Sequence, residues 1–215
     1  MRVVIAGGHG QIARHLEGVL AGRGDQPVGV VRNPDHAADL EAVGAEPVVL
    51  DLEQATVGEL TRVLRGADAV VFAAGGGPNS GAARKETVDK GAAVLLADAA
   101  ERAGVRRYVM VSSMGTGRAD PDSDDVFQVY LRAKKAADDD LRARDLDWTI
   151  VHPGRLTDDP ATGRVSVGRL ERGAVTRADV AAVLAAVLHD PSTIGKDFDL
   201  LNGTHPIPDA LAALQ

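Results

Sequence analysis

This sequence predicts an α/β fold, a doubly wound parallel sheet, on three observations. Short β-branched runs alternate with longer alanine- and leucine-rich segments along most of the chain. The runs are apolar at consecutive rather than alternate positions, the pattern of strands buried on both faces. A glycine cluster (Gly7, Gly8, Gly10) separates the first run from the first helical pattern, with no polar loop between them. Right-handed crossovers between such units give an open sheet covered by helices.

In order, strands are expected at 2–6 (RVVIA), 27–31 (PVGVV), 46–50 (EPVVL), 69–74 (AVVFAA), 107–112 (RYVMVS) and 148–152 (WTIVH). Between them, helices are expected at 11–21, 34–43, 57–64, 85–103 and 126–144. The aspartate run at 138–140 falls inside the last of these and reads as a solvated face. After Pro153 the pattern loosens into a Gly/Arg/Asp-rich stretch, 154–173, read as irregular. "TRADVAAVLAAVLHD" then reads as a helix with a Thr176…Asp179 capping signal. "KDFDLLNG" follows as a late strand, with a short helix from Pro208. The expectation is one domain over 1–215, in which 154–215 contributes a small C-terminal substrate cap.

Composition narrows the function classes. The 215 residues are 45% hydrophobic and 26% charged, ordinary for a soluble globular chain. The net charge of -7 disfavours general affinity for nucleic acid or anionic membrane. Aromatic residues, at 3%, offer no stacking platforms for bases. There is no cysteine, which excludes disulfides, thiolate metal sites and cysteine nucleophiles. No run approaches the roughly 20 apolar residues of a membrane span, and a strand pattern starts at residue 2, so a cytoplasmic location is expected. The six histidines are scattered without metal-ligand spacing, so no metal is expected.

Gly7-x-x-Gly10-x-x-Ala13 sits where a dinucleotide fold places its phosphate loop. Bare backbone permits a tight turn and lets a pyrophosphate approach, and the helix N-terminus adds unpaired N–H groups and partial positive charge. The same triplet without a ligand would be only a tight turn. An NAD site usually ends its second strand with an acid that accepts from the ribose diol. Here "VGVVRNP" offers Arg32, whose fixed fork suits a 2′-phosphate, unless it is simply an exposed residue at a helix start. NADP (NADPH) is therefore expected in preference to NAD.

"YLRAK" puts Tyr130 and Lys134 on one helix face. A neighbouring ammonium draws a phenol's pKa toward the working range, and the same lysine is a candidate for holding ribose hydroxyls. On a surface helix the pair would be ordinary; after a strand ending "VSSMG" it is a candidate acid–base pair. Ser112 and Ser113 end that strand at the carboxyl edge of the sheet, and Ser113 is the candidate hydroxyl for a substrate carbonyl.

Together, "GGHGQIA", "VVRNP", "VVLDLE", "VVFAAGGG", "YVMVSSMG", "YLRAKKAADDDLRARDLDWTIVHPG" and "TRADVAAVL" run in order through nearly the whole chain. They resemble the atypical short-chain dehydrogenase/reductase family, in its compact NAD(P)H-binding branch related to NmrA and biliverdin reductase B. The resemblance implies a Rossmann fold with Gly7, Gly10 and Ala13 on the pyrophosphate, Gln11 and Ile12 also at the cofactor, and Arg32 on the adenosine phosphate. It implies Asp51 and Leu52 at the adenine and Ala73, Ala74 and Gly75 on the ribose side. Tyr130 and Lys134 would approach the nicotinamide, with His152, Pro153 and Gly154 forming the floor beside it and Ser112 also at the cofactor. Relatives usually carry arginine where His152 stands, and a hydroxyl residue where Met114 follows the serines; His152 reads as a packing residue.

The leading reading is hydride transfer from NADPH to a small carbonyl, quinone or flavin-like acceptor, with Tyr130 protonating the oxyanion. The alternatives are an NADP(H)-sensing regulatory protein without turnover and a sugar epimerase/dehydratase-like enzyme, for which the cap looks short. The expected partner is a small-molecule substrate, with a monomer or homodimer both allowed.

Overall fold

The computed structural model describes residues 1–77 and 80–214. Its first half is the expected alternation: β1 (Arg2–Ala6), α1 (Gln11–Gly22), β2 (Gln26–Val31), α2 (Ala37–Glu41), β3 (Glu46–Val49), α3 (Val57–Leu64) and β4 (Ala69–Phe72). Next come α4 (Ala82–Arg84), a π-helical stretch Lys85–Ala92, α5 (Ala93–Ala103), β5 (Arg107–Val111) and α6 (Val126–Arg142). The remainder is β6 (Asp147–Pro153), β7 (Arg155–Thr157), β8 (Arg164–Gly168), β9 (Ala174–Thr176), α7 (Arg177–His189), β10 (Lys196–Asn202), β11 (His205–Pro206) and α8 (Ile207–Ala212).

One sheet runs in the order β11-β8-β10-β6-β5-β4-β1-β2-β3. Seven neighbouring strands, from β3 to β10, are parallel, while β8 and β11 are antiparallel additions at one edge. β7 and β9 form a separate parallel pair. The chain winds outward from β1 in both directions, so its carboxyl end and that of β4 flank the switch point where ligands of open α/β sheets bind.

Residue alternation in each strand divides the core into two layers. Val3 and Ile5 face α1 and α7, together with Leu16, Leu20 and Leu184. Val4, Ala6 and Phe72 face the opposite layer, with Leu60, Leu96 and Leu141 from α3, α5 and α6. Thr176 caps α7 as its sequence signal indicates, accepting from the Asp179 amide at 2.9 Å.

Three departures from the sequence reading bear on the site. The strand expected over 69–74 stops at Phe72, because Ala73, Ala74 and Gly75 leave the sheet to line a cleft. The helix expected over 85–103 begins as a π-helix, an i→i+5 distortion frequent at functional sites. The stretch 154–173, read as irregular, contains β7 and β8. Of the segment after Pro153, β8, β10 and β11 extend the sheet, and Arg155, Leu156, Leu170, Arg172, Gly173 and Ala174 border a cavity.

Candidate active site

The glycine loop is shaped by what surrounds it. Gly7 has φ +85°, and a Cβ there would lie 2.6 Å from the Ala74 Cα. A Cβ on Gly8 would lie 2.7 Å from the Gly29 Cα. These two glycines let the loop pack directly onto β2 and the end of β4, while Gly10, turned back by its N–H on Gly7 O at 2.9 Å, starts α1. No side chain caps that helix and no acid occupies its first turn. Its first backward bond comes from the Arg14 amide to Gly10 O, so the amides of Gln11, Ile12 and Ala13 are its unpaired donors. Such a terminus favours an anion.

A cleft of about 530 Å³ opens over this loop. Eight sequence-predicted residues line it: Gly7, Gly10, Arg32, Asp51, Leu52, Ala73, Ala74 and Gly75. Gln11 and Ile12 stand beside it in the first turn of α1. Three residues that the motifs do not single out, Glu53, Arg84 and Thr87, form a cluster with Arg32. Arg84 donates to Glu53 at 2.8 Å, and Arg32 approaches the same carboxylate at 3.3 Å. Thr87 donates to the other Glu53 oxygen at 2.8 Å. Burial raises the Glu53 carboxyl, but the hydrogen bonds from Arg84 and Thr87 and the two guanidinium charges outweigh it and hold Glu53 below its ordinary value. The cluster therefore carries a net positive charge. His9 lines the rim, bonded to Asp39 at 2.7 Å and stacked on His36 with ring centroids 3.5 Å apart.

Beneath the loop, Glu17 of α1 is fully buried with neither carboxylate oxygen partnered. Its Oε1 would lie 2.5 Å from a Cβ built on Gly29 and 3.0 Å from one on Gly8. Burial pushes its carboxyl up to about 8, opposed only by the Arg14 charge.

Between the cleft and a second cavity lies a buried polar layer. Ser112 donates to Asp138 Oδ2 at 2.9 Å, and His152 Nε2 meets the same oxygen at 3.0 Å. This corrects the reading of the aspartate run: Asp138 is fully buried, while Asp139 and Asp140 form ion pairs with Arg142, Lys135 and Arg144. One turn before Asp138, Lys134 is 3% exposed. Its Nζ donates to Val111 O at 3.1 Å and to Ala74 O at 3.4 Å, and lies 3.5 Å from the buried Asp89. Asp89 in turn accepts from the Gly76 amide at 3.1 Å. Lys134 and Asp89 thus tie α6 and the π-helix to the glycine-rich border of the cleft. Tyr130 is partly buried, and the ammonium over its ring is that of Lys85, 5.4 Å from the centroid. Lys85 is anchored by donating to Gly77 O at 2.7 Å.

The second cavity, about 900 Å³, is lined by the predicted residues Ser113, Tyr130, Pro153 and Gly154. The Met114 amide donates to Pro153 O at 3.0 Å, joining the ends of β5 and β6 at its floor. A Cβ on Gly154 would lie 2.6 Å from Gly173 O, so this glycine permits the chain after β8 to close over it. The predicted residues therefore fall in one cleft, one cavity and the polar layer between them, all at the carboxyl edge of the sheet. Among the described residues, no group of three His, Asp or Glu side chains is arranged to hold a metal ion.

A family model described as NAD(P)H-binding matches residues 7–191. The chain belongs to this NAD(P)H-binding family. It is 36% identical to the uncharacterized sugar epimerase YhfK of Bacillus subtilis over the full length of both chains. A candidate NAD-dependent epimerase/dehydratase from Bacillus halodurans superposes over the whole of both chains with TM-score 0.93 and 39% identity. The oxidoreductase ylbE of Lactococcus lactis covers all of this chain and 96% of its own, with TM-score 0.88 and 28% identity. The family agrees with the resemblance carried by the sequence motifs, and these likenesses establish the Rossmann-like fold. No helix among the described residues is long and apolar enough to cross a membrane.

Proposed function

We propose that this NAD(P)H-binding chain is an NADP(H)-dependent oxidoreductase reducing a carbonyl- or quinone-type acceptor seated in the second cavity. The observation that carries it is the pairing of a glycine-loop cleft, open to an uncapped helix N-terminus, with two guanidiniums that line the same cleft. The donor set fits the cofactor: amides of Gln11, Ile12 and Ala13 for the pyrophosphate, Arg32 and Arg84 for a 2′-phosphate. Glu53 holds both arginines in place, and a 2′-phosphate adds acceptors for a cluster that one carboxylate leaves positive. Bound there, the reduced dinucleotide supplies a hydride.

This chain's own residues do the rest. Tyr130 carries the proton for the acceptor oxygen at its Oη, and Lys85 is the cation beside its ring. Ser113 positions the acceptor oxygen. Lys134 works through Asp89 and the Ala74 and Val111 carbonyls, fixing the cleft border rather than contacting Tyr130. The test is a kinetic screen of quinone, flavin and aldehyde acceptors combined with cofactor binding. Tyr130→Phe is expected to lose most turnover while NADPH affinity stays within a few fold; unchanged turnover contradicts its role.

The engagement of Lys134 with Asp89 also favours a second reading, an NADP(H)-sensing protein without turnover. Tight NADPH binding by the unmutated protein, with no acceptor in the panel reduced, would select it.

A further inference from the structure

We infer that the second cavity takes an anionic acceptor with a polycyclic or similarly broad apolar body, bearing at least one carboxylate, sulfonate or phosphate. Four arginines line it (Arg118, Arg155, Arg172 and Arg177) and no aspartate or glutamate does, in a chain where acids outnumber Lys and Arg by 31 to 24. Arg177 is paired with Asp158 at 2.7 Å. Among the described residues, Arg118, Arg155 and Arg172 have no carboxylate within 4.0 Å. They come from three separate segments: the turn after β5, β7, and the loop before β9. All three are exposed and, among the described residues, unpaired, so their guanidinium forks are free to take a planar oxyanion that enters the cavity.

The rest of the lining sets the body of the ligand. Met114, Phe127, Leu131, Leu156 and Leu170 are apolar, whereas side-chain hydroxyl and amide groups come only from Ser113, Gln128 and Tyr130. Phe127 is 58% exposed, yet its ring lies 6.0 Å from that of Tyr130, so an aromatic pair faces the cavity. A sugar presents several hydroxyls that both donate and accept, whereas beyond the guanidiniums this lining offers few groups able to accept and no carboxylate. The volume, about 900 Å³, lies at the upper end for small-molecule sites, so it holds the reacting end of the dinucleotide and still leaves room for a broad ring system rather than only a short aldehyde.

This inference rests on the cavity being the acceptor site of the proposed oxidoreductase, but its test needs no turnover. The probe is 8-anilinonaphthalene-1-sulfonate, compared by fluorescence titration with its uncharged parent, N-phenyl-1-naphthylamine, on the full chain without dinucleotide. The sulfonate is expected to bind at one site at least about tenfold tighter than the parent. Arg118→Ala or Arg172→Ala should each weaken the sulfonate about tenfold and leave the parent unchanged. 2-Naphthoate and 2-naphthyl phosphate should compete, their order identifying the preferred oxyanion, whereas inorganic phosphate should not. Equal affinity for the two dyes, loss of binding in Arg32→Ala instead of the cavity variants, or competition by inorganic phosphate would overturn the inference. NADPH binding measured in parallel separates the two readings: its failure strikes the oxidoreductase, while a failed dye preference with intact NADPH binding strikes the anionic acceptor alone.

Discussion

Replacing Glu17 with glutamine should flatten the pH dependence of stability across the neutral range. In the folded chain the Glu17 carboxyl lies between Gly8 and Gly29 without a hydrogen-bond partner, and burial moves it from 4.5 to about 8. Between those values the unfolded chain has released this proton and the folded chain has kept it. Stability therefore falls as pH rises through the window and levels off above the folded value. At about 1.4 kcal/mol per pH unit, the whole window amounts to roughly 5 kcal/mol as an upper limit. Water admitted on ionisation reduces it. The assay is urea unfolding of both proteins at several pH values from about 5 to about 8. Glu17→Gln leaves a buried amide, which shifts its curve vertically, but the difference between the two proteins should grow by several kcal/mol in favour of the variant. Parallel pH profiles would show that Glu17 is solvated or paired, and would refute its placement under the loop.

Other perturbations test particular contacts. Gly7→Ala forces a side chain into a left-handed backbone and against Ala74, and should destabilise by about 2–4 kcal/mol in chemical unfolding; a loss under about 1 kcal/mol contradicts the close approach. Asp179 is buried and accepts from Thr176 Oγ1 and the Thr162 and Gly163 amides, so Asp179→Ala should lose roughly 3 kcal/mol. Burial raises the Asp179 carboxyl, yet the Thr162 and Gly163 bonds hold it below 3.8. Its stabilisation is present above that value and fades as pH falls below it, so acid unfolding should be shallower in the variant. Asp138→Ala strands Ser112 and His152 in the interior and should lower thermal stability far more than Asp139→Ala on the exposed face of the same helix.

What was legible in the sequence was local. β1, the glycine loop and α1 are encoded by adjacent residues, and the cap at Thr176 needs only Asp179 three positions on. A run of three aspartates looks alike at every position; only the folded packing of α6 buries Asp138 against Ser112 and His152 and leaves the other two in ion pairs. The Arg32–Glu53–Arg84 cluster joins three segments far apart in the chain. Glu53 was within reach, since "VVLDLE" puts an acid just beyond the third strand, but Arg84 carries no periodic signal. Lys134 stands at the predicted helical spacing from Tyr130, yet its buried partner arrives from the π-helix, a distortion that apolar spacing does not announce. β7 and β8 give a weak strand signal because they are short and set single apolar residues among arginine, serine and threonine rather than in continuous apolar runs.

The most direct test is calorimetric titration of the unmutated chain, Arg32→Ala and Arg84→Ala with NADPH and NADH. One NADPH per chain should bind, about tenfold or more tighter than NADH, with the preference reduced in each variant and NADH affinity little changed. Absence of binding by either dinucleotide, or a preference that survives in both variants, would contradict the assignment of this cleft.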